Sequence, residues 1–102
     1  MASKFIINDN RLIMSNCVEY HKELASNHDK TKGGGMFYMD KDNNNIYLYD
    51  KSEDFGAAKI EDVREAVKNR IPLRLRKMNI YFADSLNISN AIKYGIKIKD
   101  AE

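Results

Sequence analysis

Disulfide chemistry is the first thing this chain lacks: Cys17 is its only cysteine. No internal disulfide can form, and a reducing compartment is expected. There is no tryptophan, and Pro72 is the only proline. No apolar run approaches bilayer length, and the N-terminal stretch lacks the apolar core and cleavage site of a secretory leader. The expectation is a cytoplasmic protein with no membrane partner. His21 and His28 are the only histidines. Their spacing does not put them on one helix face, and Cys17 forms no ligand pattern with them, so neither a metal site nor a cofactor is expected. GxGxxG and GxxxxGK[ST] are absent, which removes the standard dinucleotide and P-loop fingerprints. A net charge of +2 over 102 residues is too small to imply nucleic-acid binding, and the length suits one domain with a modest core.

The pattern of what is present predicts an α+β fold. It reads as a small single domain over residues 1–102, with a mainly antiparallel sheet of about five strands and two or three short helices. Phe5-Ile6-Ile7 reads as a strand closed by the turn Asn8-Asp9-Asn10, and residues 11–18 as its hairpin partner with Leu12 and Met14 on one face. Residues 19–26 read as a short helix and 26–32 as a loop. Residues 36–40 and 46–50 form the clearest hairpin, joined by an Asn-rich turn. Ile60, Val63, Ala66 and Val67 recur at helical spacing, with Glu61 and Asp62 at the positive end of the dipole and Pro72 beyond the stop. Residues 78–83 read as another strand. A last helix, capped by Asp84 or Ser85, runs through Ile92 and stops at Gly95.

Residues 30–56, KTKGGGMFYMDKDNNNIYLYDKSEDFG, hold most of the candidate chemistry. Gly33, Gly34 and Gly35 are entropically costly in a row and imply close backbone approach or positive φ. Their amides, with Lys32 nearby, can cradle a phosphate. A bulge where the strand begins, or tight packing, is the favoured use, because a strand follows rather than a helix. Ser52 and Asp54 flank the same open end of the hairpin and would complete a polar site there. Asp54-Phe55-Gly56 matches a kinase tripeptide in letters only; no glycine-rich ATP loop or catalytic HRD segment accompanies it.

The hairpin is apolar on both faces. Ile46 and Leu48 oppose Tyr47 and Tyr49, while Phe37 and Met39 oppose Met36 and Tyr38. One face must meet the core. The tyrosine face then meets an internal helix, a second copy of the chain, or stacked bases, in falling order of expectation. Tyr38, Tyr47 and Tyr49 are the candidate interface residues. Residues 68–77 carry Lys68, Arg70, Arg74, Arg76 and Lys77 with no acid. Read as extended chain, Arg74 and Arg76 share a side that can track phosphates or simply protect an edge. His21 has Glu19 and Glu23 near it in sequence, which would set a base beside a carboxylate on extended chain. No catalytic residue is assigned.

The order Val18-Glu19-Tyr20-His21-Lys22-Glu23-Leu24-Ala25, then the triple glycine, an aromatic hairpin, and Ser52-Glu53-Asp54-Phe55-Gly56 before a short helix resembles small proteins of gut Bacteroidales, their phages and integrated elements. The resemblance covers about residues 4–83. Relatives often have glycine where Asp50 or Lys51 stands. The resemblance implies an accessory, mobile-element context, in a host cytoplasm or a virion, and carries no chemistry with it. The leading expectation is a non-catalytic binding or assembly protein that self-associates through its tyrosine face. The alternatives are a binder of a nucleotide or other phosphorylated small molecule at Lys32, Gly33, Gly34, Gly35, Ser52, Asp54 and His21, and a nucleic-acid binder using Arg70, Arg74, Arg76 and Lys77.

Overall fold

The computed structural model describes residues 2–18, 20–24, 28–69 and 71–102. β1 (Ala2–Asn8) and β2 (Arg11–Val18) form the expected first hairpin. Asp9 and Asn10 take φ values of 49° and 63°, the paired left-handed geometry that short polar side chains tolerate in a two-residue turn. β3 (Thr31–Asp40) and β4 (Asn45–Tyr49) form the second hairpin, with Tyr38 opposite Tyr47. After β4 the chain runs through α1 (Ile60–Lys68) and the four-residue turn α2 (Leu73–Arg76) to β5 (Asn79–Phe82). It ends with α3 (Ile88–Tyr94) and β6 (Ile96–Lys99). The strand order is β2-β1-β3-β4-β5-β6.

The sheet therefore has six strands and is mixed, which corrects the expected five-stranded, mainly antiparallel arrangement. β4 and β5 run parallel because a helical crossover joins them, while the other four pairings are antiparallel. The additional strand is β6, whose Ile-Lys-Ile-Lys sequence pairs with β5 at the sheet edge. Lysines on a short edge strand discourage further pairing. Other expectations shift for local reasons. The triple glycine lies inside β3 rather than before it. In place of a helix over 19–26 there is a 3-10 turn at His21–Glu23, closed by the Glu23 carboxylate accepting the Tyr20 N–H at 2.6 Å; Glu19 and Ser26 lie outside the described residues. The 73–76 segment is helical because Pro72 serves as its N-cap and its carbonyl accepts from Leu75 and Arg76 N–H groups. α3 starts later than expected, with the Asn87 side chain accepting from Ser89 and Asn90.

Strand alternation sorts the side chains into two layers. On one face Phe5, Ile7, Leu12, Ile46, Leu48, Ile80 and Phe82 meet Val63, Ala66 and Val67 of α1, with Ile71, Leu75 and Met78 closing the end. Each such side chain contributes about 2 kcal/mol when fully buried, so this face is the principal core. The opposite face carries Tyr47 and Ala83, packed against Ala91 and Ile88 of α3. Among the described residues no helix is long and apolar enough to cross a membrane.

Candidate functional site

The glycine-bearing end of the hairpin does meet the loop at residues 50–59. Gly34 donates its N–H to the Gly56 carbonyl at 3.1 Å, and Ser52 donates to the Gly34 carbonyl at 3.1 Å. Gly56 in turn donates to the Ser52 carbonyl at 2.8 Å. These bonds align Gly34 with Ala57 as one extra rung of parallel pairing. The approach leaves no room for side chains. A Cβ on Gly33, which sits at φ 117°, would lie 2.6 Å from the Ala57 carbonyl oxygen. One on Gly34 would strike the Phe5 carbonyl oxygen, and one on Gly35 the Tyr49 carbonyl oxygen. All three glycines are buried.

The side chains expected around a ligand are used by the protein itself at this corner. Ser52, 2% exposed, accepts from the Asp54 and Phe55 N–H groups at 3.1 and 3.0 Å through its hydroxyl oxygen. The Asp54 carboxylate accepts the Lys22 N–H at 3.2 Å. His21, 4% exposed, lies 2.7 Å through Nε2 from the Gly35 carbonyl. A carbonyl only accepts, so Nε2 carries the proton and His21 is a structural donor. His28 packs edge-on to Phe55, ring centroids 5.6 Å apart. Lys32 turns away and donates to Asn10 Oδ1 at 2.8 Å. Gly33, Gly34, Gly35, Ser52, Asp54 and His21 thus share one locked corner, and Lys32 does not join it.

The tyrosines form a cross-strand ladder. The Tyr38 and Tyr47 rings stack with centroids 6.4 Å apart, and Tyr47 and Tyr81 with centroids 5.1 Å apart. The Lys97 ammonium closes the row 5.7 Å from the Tyr81 centroid. Its pKa is held above the usual 10.5, chiefly by its hydrogen bond to Asp100, with the Tyr81 and Asp100 charges adding. Tyr47 is 6% exposed and belongs to the interior beneath α3, whereas Tyr38 at the other end is 45% exposed. Tyr49 is half-buried, and that burial lifts its phenol above the ordinary 10.0, with the Asp50 carboxylate adding to the effect.

The basic segment does not form the expected stripe. Residues two apart on the helical turn α2 diverge, so Arg74 and Arg76 do not share a side as they would on extended chain. Lys77 follows as the C-cap, and Arg70 lies outside the described residues.

A cleft of about 970 Å³ opens at the carboxyl end of β5, between the start of α1 and the C-terminal half of α3. Ala57, Ala58, Phe82, Ala83, Asp84, Asn90 and Tyr94 are among its lining residues. The strand–helix–strand order of residues 46–50, 60–68 and 78–83 is compatible with a parallel crossover but does not decide it, since β5-α3-β6 has the same order and pairs antiparallel.

No family model, curated protein or solved structure matches this chain.

Two substitutions separate a locked corner from an open ligand loop. Gly34→Ala should cost about 3 kcal/mol in urea unfolding, since the new methyl meets backbone that cannot yield. His21→Ala should cost about 2 kcal/mol through the lost hydrogen bond to the Gly35 carbonyl and the vacated space. Near-neutral values for both would mean that the corner is loose.

Proposed function

We propose that this chain is a non-catalytic binding and assembly protein that self-associates through its tyrosine-bearing sheet face, with Tyr38 as the anchor. The observation that carries the reading is the asymmetry of the ladder. Tyr47 is sealed under α3 and Tyr81 is flanked by Lys97, but Tyr38 ends the stack with 45% of its surface open. A tyrosine held by a stacked neighbour has already lost much of its rotamer freedom, so it offers contact area at low further entropy cost. Met36 lies on the same face of β3, half-buried, and its flexible thioether can adapt to an opposing surface. A two-fold arrangement places the same patch of each copy against the other. The resemblance to mobile-element proteins fits an accessory role of this kind.

The other two readings have less support. Phosphate binding at the glycines would compete with the Gly34–Gly56 and Ser52 hydrogen bonds. Phosphate tracking along residues 68–77 lacks the shared arginine face that extended chain would supply.

Sedimentation velocity over a concentration series tests the assembly reading. Wild-type protein should associate, and Tyr38→Asp should weaken association by about 2 kcal/mol, roughly thirtyfold, while costing the monomer only about 1 kcal/mol through the lost stack on Tyr47. Tyr47→Asp should instead lose about 4 kcal/mol of folding stability, because it buries an unpaired carboxylate. A wild-type monomer at every concentration, or a Tyr38→Asp variant that associates as well as wild type, would overturn the proposal.

A further inference from the structure

β4 and β5 lie side by side and parallel, yet the chain leaves their carboxyl ends toward opposite faces. After β4 it reaches α1, whose Val63, Ala66 and Val67 pack in the core with Leu48 and Phe82. After β5 it reaches α3, whose Ala91 packs with Tyr47 and Ala83 on the other side. Connections that depart in opposite directions from adjacent parallel strands cannot close over the space between them. A crevice therefore opens beyond the strand ends, the position at which open sheets of this kind take their ligands. The 970 Å³ cleft opens on the β5 side of that space, lined by residues 57–59 of the connection after β4, by Asp84 and Ser85 after β5, and by Asn90 and Tyr94 of α3. Its volume is at the upper end of the range for small-molecule sites.

The geometry points to a binding site in this cleft for a nucleoside-class ligand, a flat heterocycle carrying a vicinal diol. The apolar part of the lining is Ala57, Ala58, Phe82 and Ala83, of which Ala57 is exposed and the other three buried. Such a lining is apolar, and a planar ring can cover it with little loss of hydrogen bonding. Tyr94 stands at the rim, 67% exposed, with the Lys93 ammonium 5.3 Å from its ring centroid. A phenol ring at a cleft mouth supplies a stacking surface for a heterocycle. Asn90, one turn earlier on α3, lies on the same side and adds an amide donor and acceptor.

Asp84, directly after β5, selects the other half of the ligand. An ionised carboxylate only accepts hydrogen bonds, and its two oxygens match two adjacent hydroxyl donors. The charges also discriminate. Glu61 and Asp84 balance Lys59 and the Lys93 ammonium beside Tyr94, so the cleft has no excess of positive charge to hold a polyphosphate and leaves a neutral nucleoside acceptable. Ser85 holds this connection in place: its carbonyl accepts the Asp50 N–H at 2.7 Å, tying the chain after β4 to the chain after β5. This site is separate from the Tyr38 surface and does not depend on self-association.

The test is an amide-shift titration of the isotope-labelled full chain with adenosine at millimolar concentration. Saturable shifts should be confined to residues 57–61, 82–85 and 90–96. Asp84→Asn should weaken binding about tenfold, and so should an adenosine analogue lacking both ribose hydroxyls. Ala57→Leu, at an exposed position of the lining, should abolish binding while leaving the remaining spectrum unchanged. ATP should bind no more tightly than adenosine. Absence of saturable shifts with adenosine, shifts elsewhere on the surface, or equal binding of the hydroxyl-free analogue would each overturn the inference.

Discussion

The upper end of this molecule depends on backbone approaching backbone at Gly33, Gly34 and Gly35. Hydrogen bonds among Gly34, Ser52 and Gly56 turn the loop after β4 back onto β3 and hold Ala57 beside Gly34. From Ala57 the chain passes through Ala58 and Lys59 into α1, so the corner sets where the helix starts. It also sets where Ala57 and Ala58 meet the cleft. Side chains at the glycines would push the loop away and shift both features together. The polar atoms of this corner are paired with one another, which is the condition for burying them without a net penalty. His21 serves that condition by donating to the Gly35 carbonyl from a 3-10 turn distant in sequence.

The sheet divides the remaining work between its faces. The face under α1 is aliphatic, with Phe5 and Phe82 as its buried rings, and it stabilises the fold. The other face is aromatic and only partly covered, because α3 is short and sits over Tyr47, Tyr49 and Tyr81. Tyr38 remains open at the end of a stacked row rather than as an isolated ring. Stacking fixes its orientation, and partial cover leaves it accessible. A fixed but accessible ring is suited to contact another surface.

Both hairpins and α1 were legible in the sequence, because turn chemistry and apolar period agree at Asp9-Asn10, at the Asn-rich turn before Asn45, and over Ile60 to Val67. The role of the triple glycine was legible only as close approach; its partner, the chain at Ser52 and Gly56, is fixed by tertiary bonds. The short segments misled for a common reason. Leu73-Arg74-Leu75-Arg76 and Ile96-Lys97-Ile98-Lys99 have the same apolar–basic alternation, yet one is helical and the other a strand. Pro72 starts a helical turn in the first case, and the free edge of β5 captures the second. The parallel pairing of β4 with β5, and hence the cleft, was not legible: strand–helix–strand order accompanies parallel strands at β4-α1-β5 and antiparallel strands at β5-α3-β6. Tyr47 could not be distinguished from Tyr38 by alternation alone, since both occupy the same face and only the placement of α3 separates them.

Native-state hydrogen exchange at the Gly34 and Ser52 amides is the most direct measurement of the glycine corner. If the loop is locked to β3, both amides exchange only through global unfolding, with protection equal to that of the buried core amides of β1. Exchange at these two amides far faster than in β1, insensitive to changes in global stability, would mean that the loop opens independently. In that case the glycines would not be the constraint from which α1 and the cleft take their positions.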